Sequence, residues 1–442
     1  MTHRTKLLCA AHSPGQSGKW GLERFAGSAF MVAAVLAAST SGTPLAAQNN
    51  NNSLNRIGSN ESEYAPVPLR WNGFEIYPRI DVELEFNDNI FATDVNPAED
   101  FVVSVVPALT ARDRIEDREI VVRAQLGIDT YLDQTIDEQF RGILEGRARL
   151  GLGTLTRPYF GASFIRNNSR GQLDDSLRFV AQPIEITQIR SNLGVERDFG
   201  PITATLEGDA TSFSYSSATD VQGNDLAFGF RDNRIFNVRT QLAYAQSDNQ
   251  RIFVEVALNQ QDFDGPGIST GLPADSLVDR SSSGYRVQVG YQRRLTNLLD
   301  LTARAGYLRQ NFDDPTFGSV EGLSLEGDLT WRPTPLTFIN LRALRAIDQQ
   351  INPLFSGGLR TEISANVDHE LLRNMTLAAG GRYSWIDLGE GFSTIREWNA
   401  FLAARYRFNR HWSLGLQAER FQRDDVFGFE QNRAILSARY NF

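Results

Sequence analysis

From Phe74 to the last residue, apolar and polar residues alternate in short blocks that follow one another along the chain. In the first block Ile80, Val82, Leu84 and Phe86 alternate with Asp81, Glu83 and Glu85. Side chains on a strand point to opposite faces with a period of two, so each block has one apolar and one polar face. About eighteen such blocks of roughly 10–15 residues are predicted, the scale at which tilted strands cross a bilayer.

The segments between the blocks sharpen this reading. Long connections are predicted near 88–99, 132–139, 167–183, 214–230, 264–279, 313–318, 348–358, 388–393 and 424–430. Short ones are predicted near 113–117, 153–156, 198–201, 247–250, 295–298, 332–336, 371–374 and 409–410. They alternate, which places tight turns on one rim and long loops on the other, as in outer-membrane barrels. A soluble sandwich has no reason to alternate loop lengths in this way.

The end of the chain fits the same plan. Counting back from the terminus, Phe442, Tyr440, Ala438, Leu436 and Ala434 share one face, and Asn441, Arg439 and Ser437 the other. A final strand that ends on an aromatic resembles the assembly signal of outer-membrane barrels, with Leu436, Tyr440 and Phe442 as its residues. Aromatics also segregate by rim. Tyr291, Trp331, Tyr406, Phe408, Trp412, Tyr440 and Phe442 fall at the short-turn rim, and Tyr285, Tyr307, Tyr383, Trp385 and Trp398 at the other. Amphipathic rings favour the headgroup level, so two girdles are expected.

Between the girdles one face is apolar: Ile120, Val122, Leu126 and Ile128; Val254, Val256 and Leu258; Val287 and Val289; Leu414 and Leu416. The opposite face carries the candidate pore-lining residues Arg123, Arg141, Glu145, Arg147, Arg149, Arg239, Glu255, Arg286, Arg304, Glu326, Asp328, Arg382 and Arg439, with Asp129, Glu207 and Asp209 beside them. So many charges are too costly for lipid or a dry core; an aqueous lumen satisfies them.

Composition narrows the class. Hydrophobic residues make up 41% and mean hydropathy is −0.32. No apolar run long enough for a membrane helix follows the first 50 residues. Residues 1–47 read as a signal peptide: Arg4, Lys6, Lys19 and Arg24 precede or flank a short apolar segment, and Thr43-Pro-Leu-Ala-Ala47 offers small residues for cleavage. Its removal takes four basic residues and one acidic residue, Glu23, so the net charge moves from −9 to −12. So acidic a chain excludes nucleic acid as a partner. Residues 48–72, rich in Asn, read as a disordered lead-in, and 73–442 as the barrel. The single cysteine, Cys9, lies in the leader, so the mature chain has no thiol chemistry.

Tyr77-Pro-Arg-Ile-Asp-Val-Glu-Leu-Glu-Phe-Asn-Asp-Asn-Ile-Phe91 resembles the opening of the putative β-barrel porin 2 family, in which a first strand runs into Asp-Asn followed by an aliphatic and an aromatic residue. Here these are Asp88, Asn89, Ile90 and Phe91. Asp100-Phe-Val-Val-Ser-Val-Val-Pro-Ala-Leu109 resembles the family's second strand, and the likeness is sharpest over 74–152. The family brings no catalytic residues with it. Many members are encoded beside exopolysaccharide genes, so the resemblance implies a conduit for polysaccharide.

A search for chemistry finds little. The mature chain has two histidines, His369 and His411. Asp368 and His369 are adjacent on a strand, so they face opposite sides and cannot pair. His411 lies in the tight turn Asn409-Arg-His411. The acidic pairs in the loops, Asp88 and Asp94, Asp262 and Asp264, Asp313 and Asp314, Asp424 and Asp425, match no EF-type loop. No cofactor, metal site or enzyme activity is expected.

The sequence therefore predicts an all-β fold: a transmembrane, antiparallel, up-and-down β-barrel of about 18 strands behind an N-terminal signal peptide. The expected place is the outer membrane of a Gram-negative bacterium. The leading expectation is passage of a hydrophilic cargo in exopolysaccharide export. The alternatives are a general or solute-selective porin, and a plugged structural or surface-binding barrel without transport. Expected partners are outer-membrane lipid, the barrel-assembly machinery, and, under the first reading, a polysaccharide with periplasmic export proteins.

Overall fold

In a computed structural model of the chain, residues 63–115, 117–134, 136–169, 182–219, 225–265, 279–348, 357–389, 394–425 and 428–442 are described. The signal peptide expected at 1–47 and most of the lead-in lie outside these residues.

The strands are β1 (Leu69–Trp71), β2 (Phe74–Asn87), β3 (Asp100–Ile115), β4 (Arg118–Tyr131), β5 (Gln139–Leu150), β6 (Thr156–Ser169) and β7 (Ile184–Phe199). Next come β8 (Ile202–Tyr215), β9 (Ala218–Thr219), β10 (Asp225–Leu226), β11 (Asn233–Ser247), β12 (Gln250–Phe263), β13 (Ser282–Thr296) and β14 (Leu299–Phe312). The last are β15 (Val320–Thr334), β16 (Thr337–Asp348), β17 (Gly358–Leu372), β18 (Met375–Asp387), β19 (Ile395–Arg407), β20 (Trp412–Asp424) and β21 (Phe429–Asn441).

Each long strand pairs antiparallel with its neighbour in sequence, β2 through β8 and then β11 through β21. The ring closes where β2 meets β21, with Arg79 opposite Asn441 and Asn87 opposite Arg433. The result is a closed barrel of 18 strands. Closure satisfies the backbone groups that an open sheet would leave bare in lipid.

The faces follow the period of two. On β17, Ile363 is 53% exposed and Ser364, next to it, turns inward. Outward apolar residues such as Leu126, Leu193, Leu242, Leu402 and Leu416 are all more than half exposed, as a lipid-facing belt requires. The girdle aromatics meet across strands, Tyr285 with Tyr307 at 6.4 Å between ring centroids and Trp412 with Tyr440 at 4.8 Å, and along β18, Tyr383 with Trp385 at 5.7 Å.

Loop lengths alternate as predicted, with one exception. The β20–β21 connection, expected to be long over 424–430, spans only 425–428, because the two strands keep their ladder up to Arg423 opposite Phe429. Two further differences are additions. The β8–β11 connection contains a small hairpin, β9 against β10, and a 3-10 turn at Gly229–Arg231. In the lead-in expected at 48–72, β1 pairs with the start of β2 through the Asn72-Gly73 turn. Asn72 and Gly73 have φ of 46° and 88°, the positive values a two-residue hairpin turn requires.

Candidate functional site

Among the described residues, charge concentrates on the inner wall, and parity of the strands puts it there. Val122, Leu126 and Ile128 point outward on β4, so Arg123 and Asp129 point inward. In-register partners share a face, which carries the assignment from strand to strand: Arg123 faces Glu145, Glu145 faces Ser163, and so on around the ring. All thirteen candidate pore-lining residues fall on this face.

They are joined mainly by ion pairs. Arg141 Nε donates to both oxygens of Asp129 at 3.1 Å, and its Nη2 stands 3.5 Å from Glu83. Ser104 Oγ donates to the same Asp129 at 2.6 Å. This one cluster therefore ties β2, β3, β4 and β5 together. Arg123 meets Glu145 at 2.9 Å, Arg286 meets Glu255 at 3.2 Å, and Arg382 meets Glu362 at 3.8 Å. Arg304 and Arg342 converge on Glu326 at 3.2 and 3.5 Å, and Arg342 is 4.0 Å from Asp328. Arg239 donates to Glu207 at 2.7 Å, and Tyr159 donates its hydroxyl to the same carboxylate at 2.6 Å. Arg149 is 3.9 Å from Glu196 and lies 5.8 Å from the ring centroid of Tyr159. Arg147 stands on the same wall, in register with Val121. Arg439 meets Asp81 at 2.5 Å, directly across the seam.

Sequence reasoning left several members of this wall off its candidates. Glu83, Arg342, Glu419 and Arg433 belong to it, as do Arg360 and Glu397 near the long-loop rim. Arg360 bridges Asp348 at 2.5 Å and Glu397 at 3.1 Å. Arg433 bridges Glu419 at 2.6 Å and Glu85 at 3.8 Å. The same alternation marked all of them; what it could not mark is which arginine reaches which acid.

The wall also carries rings folded flat over glycines. The Tyr159 ring covers Gly194, and the Phe253 ring covers its register partner Gly290, in the space a Cβ would need. Arg304 then sits 5.3 Å from the Phe253 centroid.

Of the assembly-signal candidates, Tyr440 and Phe442 lie at the short-turn rim and Leu436 lies mid-strand, opposite Leu84 and Leu416. Tyr440 and Phe442 pack edge to face at 5.0 Å, Leu436 is 44% exposed on the outer surface, and the His411 ring stacks against Tyr440. His411 Nδ1 lies 2.8 Å from the Asn441 carbonyl oxygen, and His369 Nδ1 lies 3.0 Å from Thr337 Oγ1. Asp368 lies on the inner face and His369 on the outer, so the two are apart. Asp88, Asp264, Asp314 and Asp425 are each engaged by protein donors, and among the described residues no cluster of ligands fits a metal ion.

At the long-loop rim, Asp100 accepts the backbone N–H groups of Leu132, Asp133 and Gln134 at 3.2, 2.9 and 3.0 Å, which pins the second loop to the first. Across the β8–β11 loop, Arg280 lies 4.7 Å from the Phe263 centroid and donates to the Phe230 carbonyl at 3.0 Å; burial pushes its guanidinium down to about 10.

Among solved structures, the chain is similar to OpdL of Pseudomonas aeruginosa, with 12% identity, a TM-score of 0.43, and coverage of 84% of this chain and 99% of that one. It is also similar to Pseudomonas aeruginosa OccK2 (OpdF), solved in complex with glucuronate, at 11% identity, TM-score 0.44, and 83% and 98% coverage. Acinetobacter baumannii OccAB3 follows at 10% identity, TM-score 0.41, and 83% and 99% coverage. No curated protein matches the chain. Residues 61–442 match the model of the family described as putative beta-barrel porin 2, and the chain therefore belongs to that family, a porin-like β-barrel of the Gram-negative outer membrane.

Proposed function

We propose that the protein is a solute-selective porin, a passive path for small hydrophilic solutes across the outer membrane. The observation that carries this reading is the pairing of the inner wall. Arg141 with Asp129 and Glu83, Arg304 and Arg342 with Glu326, and Arg239 with Glu207 form fixed rows of donors beside acceptors. Such rows offer charge-assisted hydrogen bonds to hydroxyl and carboxylate groups of a solute. The neighbouring opposite charge keeps each contact weak enough for release, as conduction requires. No feature among the described residues favours a polysaccharide chain over a small solute. In this reading the short-turn rim faces the periplasm.

The test is conductance of the refolded barrel in a planar bilayer, joined to swelling of vesicles in neutral, anionic and cationic sugars of similar size. The expected result is steady steps and uptake rates that differ among the three classes. A silent barrel that nevertheless shows heat-modifiable migration on gels would rule out an open path. Charge reversal of Arg147 and Arg149 together (to Glu) is expected to shift the reversal potential toward cation preference. An unchanged potential would remove both residues from the path.

A further inference from the structure

The most exposed tryptophan on the described barrel lies at its N-terminal edge. Trp71 is 70% exposed, and Leu69 and Val67 beside it are 55% and 53% exposed. Leu69 and Trp71 belong to the small hairpin in which Leu69 pairs with Ile76 and Trp71 with Phe74. Those partners have the same parity as Ile80, Val82 and Leu84, so Leu69 and Trp71 continue the outward apolar face of β2. Arg70, paired with Glu75 at 3.7 Å, lies on the opposite face.

The hairpin fills a gap. The C-terminal strand pairs with β2 only as far as Arg79 opposite Asn441, with one more hydrogen bond from Phe442 N–H to the Pro78 carbonyl. β2 itself runs on to Phe74, and β3 covers its other edge from Glu75 onward. The edge between Phe74 and Ile76 would be bare at the seam, and β1 takes it. Just above, Trp412, Tyr440 and Phe442 end the outward face of the last two strands in a ring cluster. At the level of Phe74 the outward face of β3 and β4 already carries an ion pair, Asp113 with Arg118 at 2.8 Å. A level that holds a tryptophan, a leucine and an ion pair on one outward face has left the hydrocarbon and matches the headgroup layer, where indole rings partition.

We propose that the Leu69–Gly73 hairpin is a membrane-interface foot: Leu69 and Trp71 lie in the phospholipid headgroup layer at the short-turn rim and cover the edge of β2 that the C-terminal strand leaves open. The occupant of this face is lipid because the face is continuous, in register and parity, with the lipid-facing belt.

The experiment compares the full chain with its Trp71→Phe variant, both refolded into phosphatidylcholine vesicles, and takes the difference in fluorescence as the Trp71 signal. Two quenchers are used: phosphatidylcholine brominated near the glycerol end of its acyl chains, and acrylamide in the water. The expected result is loss of most of the Trp71 signal in brominated lipid and protection from acrylamide. A signal quenched by acrylamide and untouched by brominated lipid overturns the proposal by placing the hairpin in water. A signal shielded from both overturns it in favour of protein covering the face. A Leu69→Cys variant in a Cys9→Ser background, labelled with a polarity-sensitive fluorophore, reads the same quenchers at the neighbouring outward position and does not depend on replacing Trp71.

Discussion

Asp88 and Asn89, two neighbours in the short run that marked the family, act across the barrel seam. Where the β2–β21 ladder ends, Asp88 accepts from the backbone N–H and the side-chain amide of Asn432 at 2.7 and 2.6 Å. Asn89 donates to the Glu430 carbonyl at 2.8 Å and accepts at its own carbonyl from Gln431 at 2.6 Å. Asn89 also braces its own loop through Thr93, and Ala92 in that loop holds a left-handed φ of 50°. Such a conformation costs a non-glycine residue about 1 kcal/mol or more, so the surrounding bonds must impose it. Ile90 then packs on Val102 and Tyr131, and Ala92 on Phe421 and Phe429. Asp88→Ala is expected to destabilise the barrel by about 2 kcal/mol, read as a lower temperature for loss of the heat-modifiable band. Asp94→Ala, in the exposed part of the same loop, is expected to stay within roughly 0.5 kcal/mol of the parent. On the inner wall, Gly290→Val is expected to cost about 1–3 kcal/mol, because the Phe253 ring occupies the space of the new side chain. An unchanged midpoint would show that the ring swings clear.

At the scale of the element, a strand here is a two-sided object, and adjacent residues meet opposite solvents. Ile363 faces outward and Ser364 inward on β17. Ile363→Arg is therefore expected to cost about 2–4 kcal/mol if the residue sits near the bilayer midplane, while Ser364→Arg joins a wall already rich in arginine and costs far less. Equilibrium unfolding in lipid vesicles measures both, and equal costs would contradict the face assignment. The period of two, the turn signals and the loop lengths made the strands legible from sequence. The short hairpin β9–β10 and the strand β1 were not, because two or three residues carry too little periodicity to stand out.

For the whole molecule, closure is the controlling event. Its last strand carries a proposed assembly signal, Leu436, Tyr440 and Phe442, on the outward face, while the inward Arg439 meets Asp81 of the first barrel strand. The signal and the seam contacts are thus separable. Deleting Phe442 leaves the ladder from Asn441 to Arg433 in place. The refolded chain is expected to keep its heat-modifiable migration, while the amount recovered from the outer membrane of cells falls several-fold. Equal recovery from cells would remove Phe442 from the signal.

The sequence by itself determined the class of fold, the approximate number of barrel strands, which rim carries the long loops, and which face of each strand meets lipid; the closed ring fixed the count at 18. These follow from period and spacing, which are local properties of the chain. It did not determine register. Sliding one strand past another by two residues preserves every inward and outward assignment, so alternation cannot distinguish the two pairings. Only the tertiary structure decided that Arg141 reaches Glu83 three strands away, that Asp88 meets Asn432 across 344 positions of sequence, and that β1 continues where β21 stops. Each of these depends on the closed ring, which sets the height of every strand against its neighbours at once.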